Sequence, residues 1–304
     1  MNILIIGSKG FIGSNSFKHL KAGHTVYGCD IMQADEDNYL QLDASSPDFN
    51  TVFSLRQYDV CINCSGAASV PWSMTHPLQD FELNTLNVFK ILDSIARHQP
   101  QCKFLNLSSA AVYGNPASLP IKEASLIKPL SPYGWHKYYA ELICKEFTQE
   151  KKISTCNLRV FSAYGEGLKK QLFWDLYQKS KKENLPAGQA GKVELFGTGN
   201  ESRDFIYIGD LVRLIEIVIN AAPFEGECIN AANGQEVFLK DAVAIFYSIV
   251  QKGTEYIFPG GNREGDPLNW RADISVISSF GYKPTYSFEQ GLLNYFEWLS
   301  REKF

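Results

Sequence analysis

The chain has 304 residues, 45% of them hydrophobic and 20% charged, which is ordinary for a folded protein with a large core. A formal net charge of −4 excludes the basic footprint of a nucleic-acid binder, although single basic residues can still grip the phosphates of a small anionic ligand. No apolar run approaches the roughly 20 residues that cross a bilayer, and the seven cysteines are an odd, scattered set, so a reducing, cytoplasmic location with no membrane partner is expected.

Met1-Asn2-Ile3-Leu4-Ile5-Ile6-Gly7 opens the chain. It is apolar but lacks a basic leader, so it reads as a strand over Asn2–Ile6 and not as a signal peptide. Gly7-Ser8-Lys9-Gly10-Phe11-Ile12-Gly13 then leads into a predicted helix, Phe11–Ala22. Glycines there permit a tight turn, close approach of backbone to a pyrophosphate, and close helix–strand packing. The helix start adds free N–H groups and a positive dipole end. The G-x-x-G-x-x-G spacing is one residue longer than the common dinucleotide fingerprint. Asp30 ends the next strand, Thr25–Asp30, at about the distance where an acidic residue meets an adenosine ribose. Asp43 is either a second contact near the adenine or a helix cap.

Asp59–Asn63 is predicted as a third strand. Cys61 and Cys64 lie three apart on it and so point to opposite faces. They read as a buried structural pair and not as a metal site, and the five histidines show no metal-ligand spacing; no metal is expected. A helix over Leu78–Arg97 follows, then a strand over Lys103–Ser108. Ligands of open parallel sheets bind beyond the carboxyl ends of strands. Ser109 would sit there as a hydroxyl donor to a reacting oxygen, with Ser108 a turn residue.

Ser131-Pro132-Tyr133-Gly134-Trp135-His136-Lys137 opens a helix over Tyr133–Lys152. Ser131 suits the N-cap and Pro132 the first helical position. Tyr133 and Lys137 share one helical face, which Ala140, Cys144 and Phe147 continue. A phenol with a pKa near 10 is a poor base at neutral pH. A neighbouring ammonium and a helix N-terminus both favour the phenolate. The competing reading is a surface pair four residues apart.

A fifth strand is predicted over Ser154–Phe161, and residues 184–191 read as an exposed loop. Beyond them come a helix over Leu211–Ala222, a strand over Glu227–Ala232, and helices over Leu239–Gln251 and Phe288–Ser300. Val243–Val250 is the kind of run expected in a buried helix. Strands alternating with helices argue for an α/β fold, a doubly wound parallel sheet wrapped on both faces.

These residues together resemble a known family. Gly7–Gly13, Ser109 with Tyr133 and Lys137, and Ser131-Pro132-Tyr133-Gly134 are similar to extended short-chain dehydrogenases/reductases. Leu158-Arg159-Val160-Phe161, Tyr164-Gly165-Glu166-Gly167, Arg203-Asp204-Phe205-Ile206-Tyr207, Arg263-Glu264-Gly265-Asp266 and Phe280-Gly281-Tyr282-Lys283-Pro284 match the nucleotide-sugar epimerase/dehydratase branch, of the UDP-glucose 4-epimerase kind. The resemblance implies a Rossmann domain for NAD, 1–165 plus 205–232, and a smaller nucleotide-sugar domain, 166–204 plus 233–304. It implies a catalytic set of Ser109, Tyr133 and Lys137, with Lys137 also holding the nicotinamide ribose. Cofactor contacts fall to Gly7, Gly10, Phe11, Ile12, Gly13, Asp30, Asp43, Ala67 and Asn84. Arg203 and Arg263 match arginines that bind the substrate diphosphate, a bidentate task suited to guanidinium. Asp266 matches a residue near the nucleotide ribose, and Leu195 and Phe196 a strand that lines the base. A homodimer through Leu78–Arg97 and Tyr133–Lys152 is also implied.

Two departures shape the reading. Dehydrating members carry an acidic pair just after the position of Ser109, whereas this chain has Ala110 and Ala111. Elimination of water needs a general acid and base, so dehydration is disfavoured. Ser162 stands where an asparagine commonly follows Phe161. The expected activity is NAD-dependent epimerisation of a nucleotide-diphosphate sugar at C4 through a 4-keto intermediate. The alternatives are an NAD(P)H-dependent reductase of a 4-keto sugar and an inactive dinucleotide-binding sensor. Lys9 in the turn argues for NADP and Asp30 against it; NAD is expected.

Overall fold

A computed structural model of the chain describes residues 1–182, 192–250, 254–261, 265 and 267–302. Its centre is a seven-stranded sheet of β1 (Asn2–Ile6), β2 (Thr25–Asp30), β3 (Tyr39–Gln41), β4 (Val60–Asn63), β5 (Lys103–Ser109), β6 (Thr155–Val160) and β7 (Glu225–Ala231). Every pairing is parallel, in the order β7-β6-β5-β4-β1-β2-β3. The order reverses between β1 and β4, which is where open parallel sheets leave a crevice at their carboxyl edge.

Both faces are covered, as near-continuous apolar strands require. Ile3, Ile5, Val60, Ile62, Leu105 and Leu107 face one core with Leu20, Leu211 and Leu214. Leu4, Ile6, Cys61 and Phe104 face the other with Phe53, Leu92 and Phe147. Cys61 and Cys64 accordingly part to opposite sides, and both are free thiols. Across the second face runs a row of buried amides: Asn63 Nδ2 donates to Asn106 Oδ1 at 3.1 Å, and Asn106 Nδ2 to Asn157 Oδ1 at 3.0 Å. This row ties β4, β5 and β6 side by side just below their carboxyl ends.

The predicted elements form, with their described ends displaced by at most three residues. The sequence pattern expects one uninterrupted α-helix over Leu78–Arg97. In the structure α-helical Pro77–Phe81 passes through a π turn, Glu82–Leu86, before Asn87–His98. The extra residue per turn re-aims the side chains that follow it. Among the elements that escape the sequence reading are β3, helices Phe49–Leu55, Val70–Thr75, Gln171–Lys182 and Ser275–Ser279, and short strands such as Ser162–Tyr164 and Phe205–Tyr207.

After β6 the chain leaves the sheet. Ser162–Tyr164 pairs with Phe205–Tyr207, and helix Ile208–Ala221 then returns the chain to β7. Helix Gln171–Lys182, helix Leu239–Val250 and the C-terminal helix Phe288–Arg301 pack beside this return. Helix Phe288–Arg301 begins with a capping box between Ser287 and Gln290, which satisfies two otherwise orphaned N–H groups. The expected loop over 184–191 lies outside the described residues. No described helix is long and apolar enough to cross a membrane.

Candidate active site

The glycine turn sits at the β1 end of the crevice. Gly7 has φ +81°, and a Cβ on Gly13 would stand 2.0 Å from the Gly7 carbonyl oxygen. Neither place tolerates a side chain, so the helix Phe11–Leu20 starts tight against the strand end. Gly10 precedes that helix without a side-chain cap, and Phe11 and Ile12 form its first turn. Asp30 closes β2 beside the turn. Its carboxylate accepts from Lys9 N at 2.8 Å, Ile31 N at 2.7 Å and Met32 N at 3.3 Å, so it is fixed by backbone. The Lys9 ammonium turns away to Glu36 Oε1 at 2.5 Å, over the ring of Tyr39. Asp43 lies one residue beyond Leu42, whose N–H donates to Asp30 O. It does not cap a helix: it accepts from Ser45 N and Oγ in a local turn that holds its carboxyl below the usual range, and Asp48 caps Phe49–Leu55.

Ser109 ends β5, and Tyr133 and Lys137, on the helix Pro132–Lys151, lie against the end of that strand, Tyr133 near Ser109 and Lys137 on the Leu107 carbonyl. Ser131 Oγ caps the helix Pro132–Lys151 by accepting from Gly134 N, and Ser73 Oγ accepts from Tyr133 N at 3.1 Å. The Tyr133 phenol lies close enough to the Ser109 hydroxyl for that group to draw its pKa down. Lys137 is buried, and its Nζ donates to Leu107 O at 2.9 Å. The expected lowering of the Tyr133 pKa is not found in the protein alone. Burial pushes the phenol up to about 12, the Ser109 hydroxyl opposes this, and Asp80 adds to it. Burial also lowers Lys137 to about 8, against the opposing pull of Asp80. Desolvation wins in both because each side chain is enclosed before any ligand arrives.

Ser108, expected as a turn residue, ends in the sheet and donates to Glu141 Oε1 at 2.6 Å. Arg159 forks onto both oxygens of the same Glu141, at 2.9 and 2.8 Å. This buried pair braces the helix Pro132–Lys151 against β5 and β6. Sequence spacing gave no sign of it, nor of the hydrogen-bonded contact between His136 Nδ1 and Asp80 Oδ2 at 2.6 Å.

Ala67 lies in the loop leaving β4, and Asn84 in the π turn. Asn84 is buried, and both its amide atoms lack a hydrogen-bond partner among the described residues. A Cβ on Gly66 would lie 2.5 Å from Asn84 Oδ1 and 3.5 Å from Lys137 Nζ, so these groups converge beside Ala67. Orphaned amide atoms, a turn of closely packed glycines and a fixed acidic residue at the next strand end fit a dinucleotide. Those residues could hold its nicotinamide half, pyrophosphate and ribose respectively.

On the other side of the crevice, Arg203 donates to Ser202 O at 2.9 Å and Leu268 O at 3.2 Å, with its guanidinium over Trp270. Arg263 and Asp266 lie outside the described residues. Gly265 between them approaches Val70 and Ser131, the residue that caps the helix Pro132–Lys151. The strand expected to contain Leu195 and Phe196 stops at Glu194. Leu195 turns into the core, while Phe196 stays exposed with Lys179 Nζ 6.0 Å from its ring centre. Among the described residues no cluster of His, Cys, Asp or Glu could hold a metal ion.

Comparison with known proteins agrees with this geometry. A Methanocaldococcus jannaschii protein provisionally named UDP-glucose 4-epimerase is 26% identical, over 98% of each chain. A probable UDP-glucuronate 4-epimerase of Rhizobium meliloti is 25% identical, over 98% of this chain and 96% of its own. The crystal structure of Bacillus cereus UDP-glucuronic acid 4-epimerase in complex with UDP-glucuronic acid and NAD superposes with a TM-score of 0.88 at 24% identity, covering 99% of both chains. Residues 3–232 match the model of the NAD dependent epimerase/dehydratase family, and with the glycine turn, the fixed Asp30 and the Ser109–Tyr133–Lys137 cluster inside that span, the chain belongs to that family.

Proposed function

We propose that the protein is an NAD-dependent 4-epimerase of a UDP-linked sugar. The observation that carries this reading is the convergence of Ser109, Tyr133 and Lys137 at the end of β5, followed directly by Ala110 and Ala111. The set can move one proton at a ring hydroxyl, and the alanines supply no second acid or base for loss of water. Bound NAD would supply a reversible two-electron acceptor for C4, taking up the hydride and giving it back to the other face of the keto carbon, and a positive ring that favours the phenolate. Tyr133 Oη takes the proton of the C4 hydroxyl and later returns it. Ser109 Oγ orients that oxygen, and Lys137 holds the cofactor ribose with its ammonium. The 4-keto sugar turns over in the site before the C4 oxygen is reprotonated.

Gly7, Gly10, Phe11, Ile12 and Gly13 would take the cofactor pyrophosphate, Asp30 and Asp43 its adenosine half, and Ala67 and Asn84 its nicotinamide half. Arg203 and Arg263 would take the substrate diphosphate, and Phe196 and Asp266 its nucleoside. Division into a cofactor unit (1–165 plus 205–232) and a sugar-nucleotide unit (166–204 plus 233–304) follows from these roles. Homodimerisation is part of the same reading. Val88, Leu92 and Ile95 are buried on the sheet side, while Leu78, Leu83, Leu86, Phe89, Trp135, Tyr139 and Leu142 are exposed on the two helices. Exposed apolar residues concentrated on adjacent helices mark a contact surface.

The test is turnover of UDP-glucose and UDP-glucuronate by purified protein without added cofactor, followed by proton NMR. Appearance of the C4 epimer supports the reading. A strict stoichiometric need for reduced cofactor would replace it with a 4-keto-sugar reductase.

A further inference from the structure

Asp204 stands between the strand Ser202–Arg203 and the strand Phe205–Tyr207, and it is fully buried. Its carboxylate meets backbone: Oδ1 accepts from Asn233 N at 2.9 Å and Oδ2 from Ala272 N at 3.0 Å. Burial pushes the carboxyl up to about 7 even against these N–H groups. A buried charge held by amides is costly, so what those two bonds hold in place matters.

The segment from Leu268 to Ala272 runs alongside Ser202–Asp204 as a short parallel ladder. Ser202 N donates to Leu268 O at 3.0 Å, and Trp270 N donates to Ser202 O at 3.2 Å. The next rung would run from Ala272 N to Asp204 O. That carbonyl is already taken by Ser162 N at 3.0 Å, and the Asp204 side chain supplies the rung instead. Both supports of the Arg203 side chain lie on this segment. Its Nη1 donates to Leu268 O at 3.2 Å, and its guanidinium carbon stands 5.6 Å from the centre of the Trp270 ring. Asp204 therefore fastens the far end of the floor on which Arg203 rests, and ties that floor to Asn233 at the exit of β7.

We propose that Asp204 is a positioning residue for Arg203: by holding Ala272 and Asn233 it keeps Leu268 and Trp270 beneath the guanidinium, and so sets where that arginine meets a nucleotide diphosphate. The proposal rests on the substrate role given to Arg203 above. Its test is calorimetric titration of UDP into the NAD-loaded protein at about pH 8.5, where the Asp204 carboxyl is ionised. Asp204→Asn keeps the volume and one acceptor oxygen but turns an amide N–H group onto one of the two donors. It should weaken UDP binding about fivefold and NAD binding less than about twofold. In an Arg203→Ala background the same change should alter UDP binding less than about twofold, because the group it places is gone. Unchanged UDP affinity in Asp204→Asn, or an equal loss with and without Arg203, overturns the proposal. Should Asp204→Asn not fold, Trp270→Leu reads the same floor while leaving the carboxylate and its two donors in place. A UDP loss that depends on Arg203 is expected there, and no loss, or one independent of Arg203, overturns the proposal. UDP binding needs no turnover, so the two failures separate. If Arg203→Ala itself binds UDP like the wild type, the substrate role of Arg203 falls and takes the proposal with it. A loss in Arg203→Ala with none in Asp204→Asn sinks the proposal alone.

Discussion

Lys9 Nζ lies 2.5 Å from Glu36 Oε1, so the one basic side chain of the glycine turn is already matched with a carboxylate. Asp30 meanwhile is fixed by three backbone N–H groups. A 2′-phosphate would meet a carboxylate that cannot swing away and a lysine that is occupied. Wild-type protein stripped of cofactor should therefore bind NAD at least tenfold more tightly than NADP. Asp30→Ala should narrow that ratio, and Glu36→Gln should raise NADP affinity by freeing Lys9. Calorimetric titration of both cofactors at low salt, where exposed charges act furthest, checks this. Tighter NADP binding by the wild type would reverse the assignment.

Lys137→Met should abolish turnover and yet stabilise the protein. In the fold Lys137 titrates at about 8, against 10.5 for the free side chain. The unfolded chain thus holds the proton more tightly, and the charged form costs the fold about 3 kcal/mol at neutral pH. Loss of the hydrogen bond to Leu107 returns about 1 kcal/mol. The sign follows: below pH 8 the penalty is complete, and it fades as pH rises from 8 to 10.5. Thermal melts should show the variant several degrees above wild type at pH 7 and the gap closing by pH 10. A lower melting temperature at pH 7 would contradict it.

Arg203→Ala should weaken UDP-sugar binding at least tenfold and NAD binding little, since a charge-assisted bond to phosphate is worth about 1.5–3 kcal/mol. Arg263→Ala should behave likewise. Equal losses for the two ligands would move these arginines to the cofactor side.

A double variant, Phe89→Glu with Trp135→Glu, should be monomeric at micromolar concentration by light scattering while the wild type is dimeric. Both residues are substantially exposed, at 41% and 43%, so like charges there should not disturb the fold. A wild-type monomer would remove the interface.

Removing Arg159 should be far more damaging than any of these. Arg159→Met leaves Glu141 buried without its cation, which costs about 3–5 kcal/mol, whereas exchanging both for apolar residues should cost much less. Chemical denaturation of single and double variants reads the difference.

How much of this was legible in the chain depends on distance along it. Tyr133 and Lys137 are one helical turn apart, and the Gly7–Gly13 turn is contiguous, so spacing alone exposed them. Asp80 and His136 are joined only by packing of two helices, and Ser73 reaches Tyr133 the same way; no local pattern marks such pairs. β3 escaped because three residues, Tyr39-Leu40-Gln41, are too few to show alternation. Phe49–Leu55 was readable in principle, from Asp48 as cap and Phe49, Val52 and Phe53 on one face, but it is short. The phenol of Tyr133 was misjudged for a different reason. Sequence reveals which charges are near, but not how completely water is excluded.

The amide row of Asn63, Asn106 and Asn157 has a consequence for how this protein can change over generations. Exchanging the middle residue alone for leucine strands two buried amide groups, each costing about 1–3 kcal/mol. Exchanging all three for apolar residues of similar shape strands none of these amides and gives up only the bonds that Asn63 Oδ1 accepts from Ser65 N and Oγ. The low-cost routes are separated by single steps that sit in a deep valley, so the three positions are heritable as a unit. Descendants of this chain should keep the triad whole or lose it whole, and lineages caught between the two should be rare.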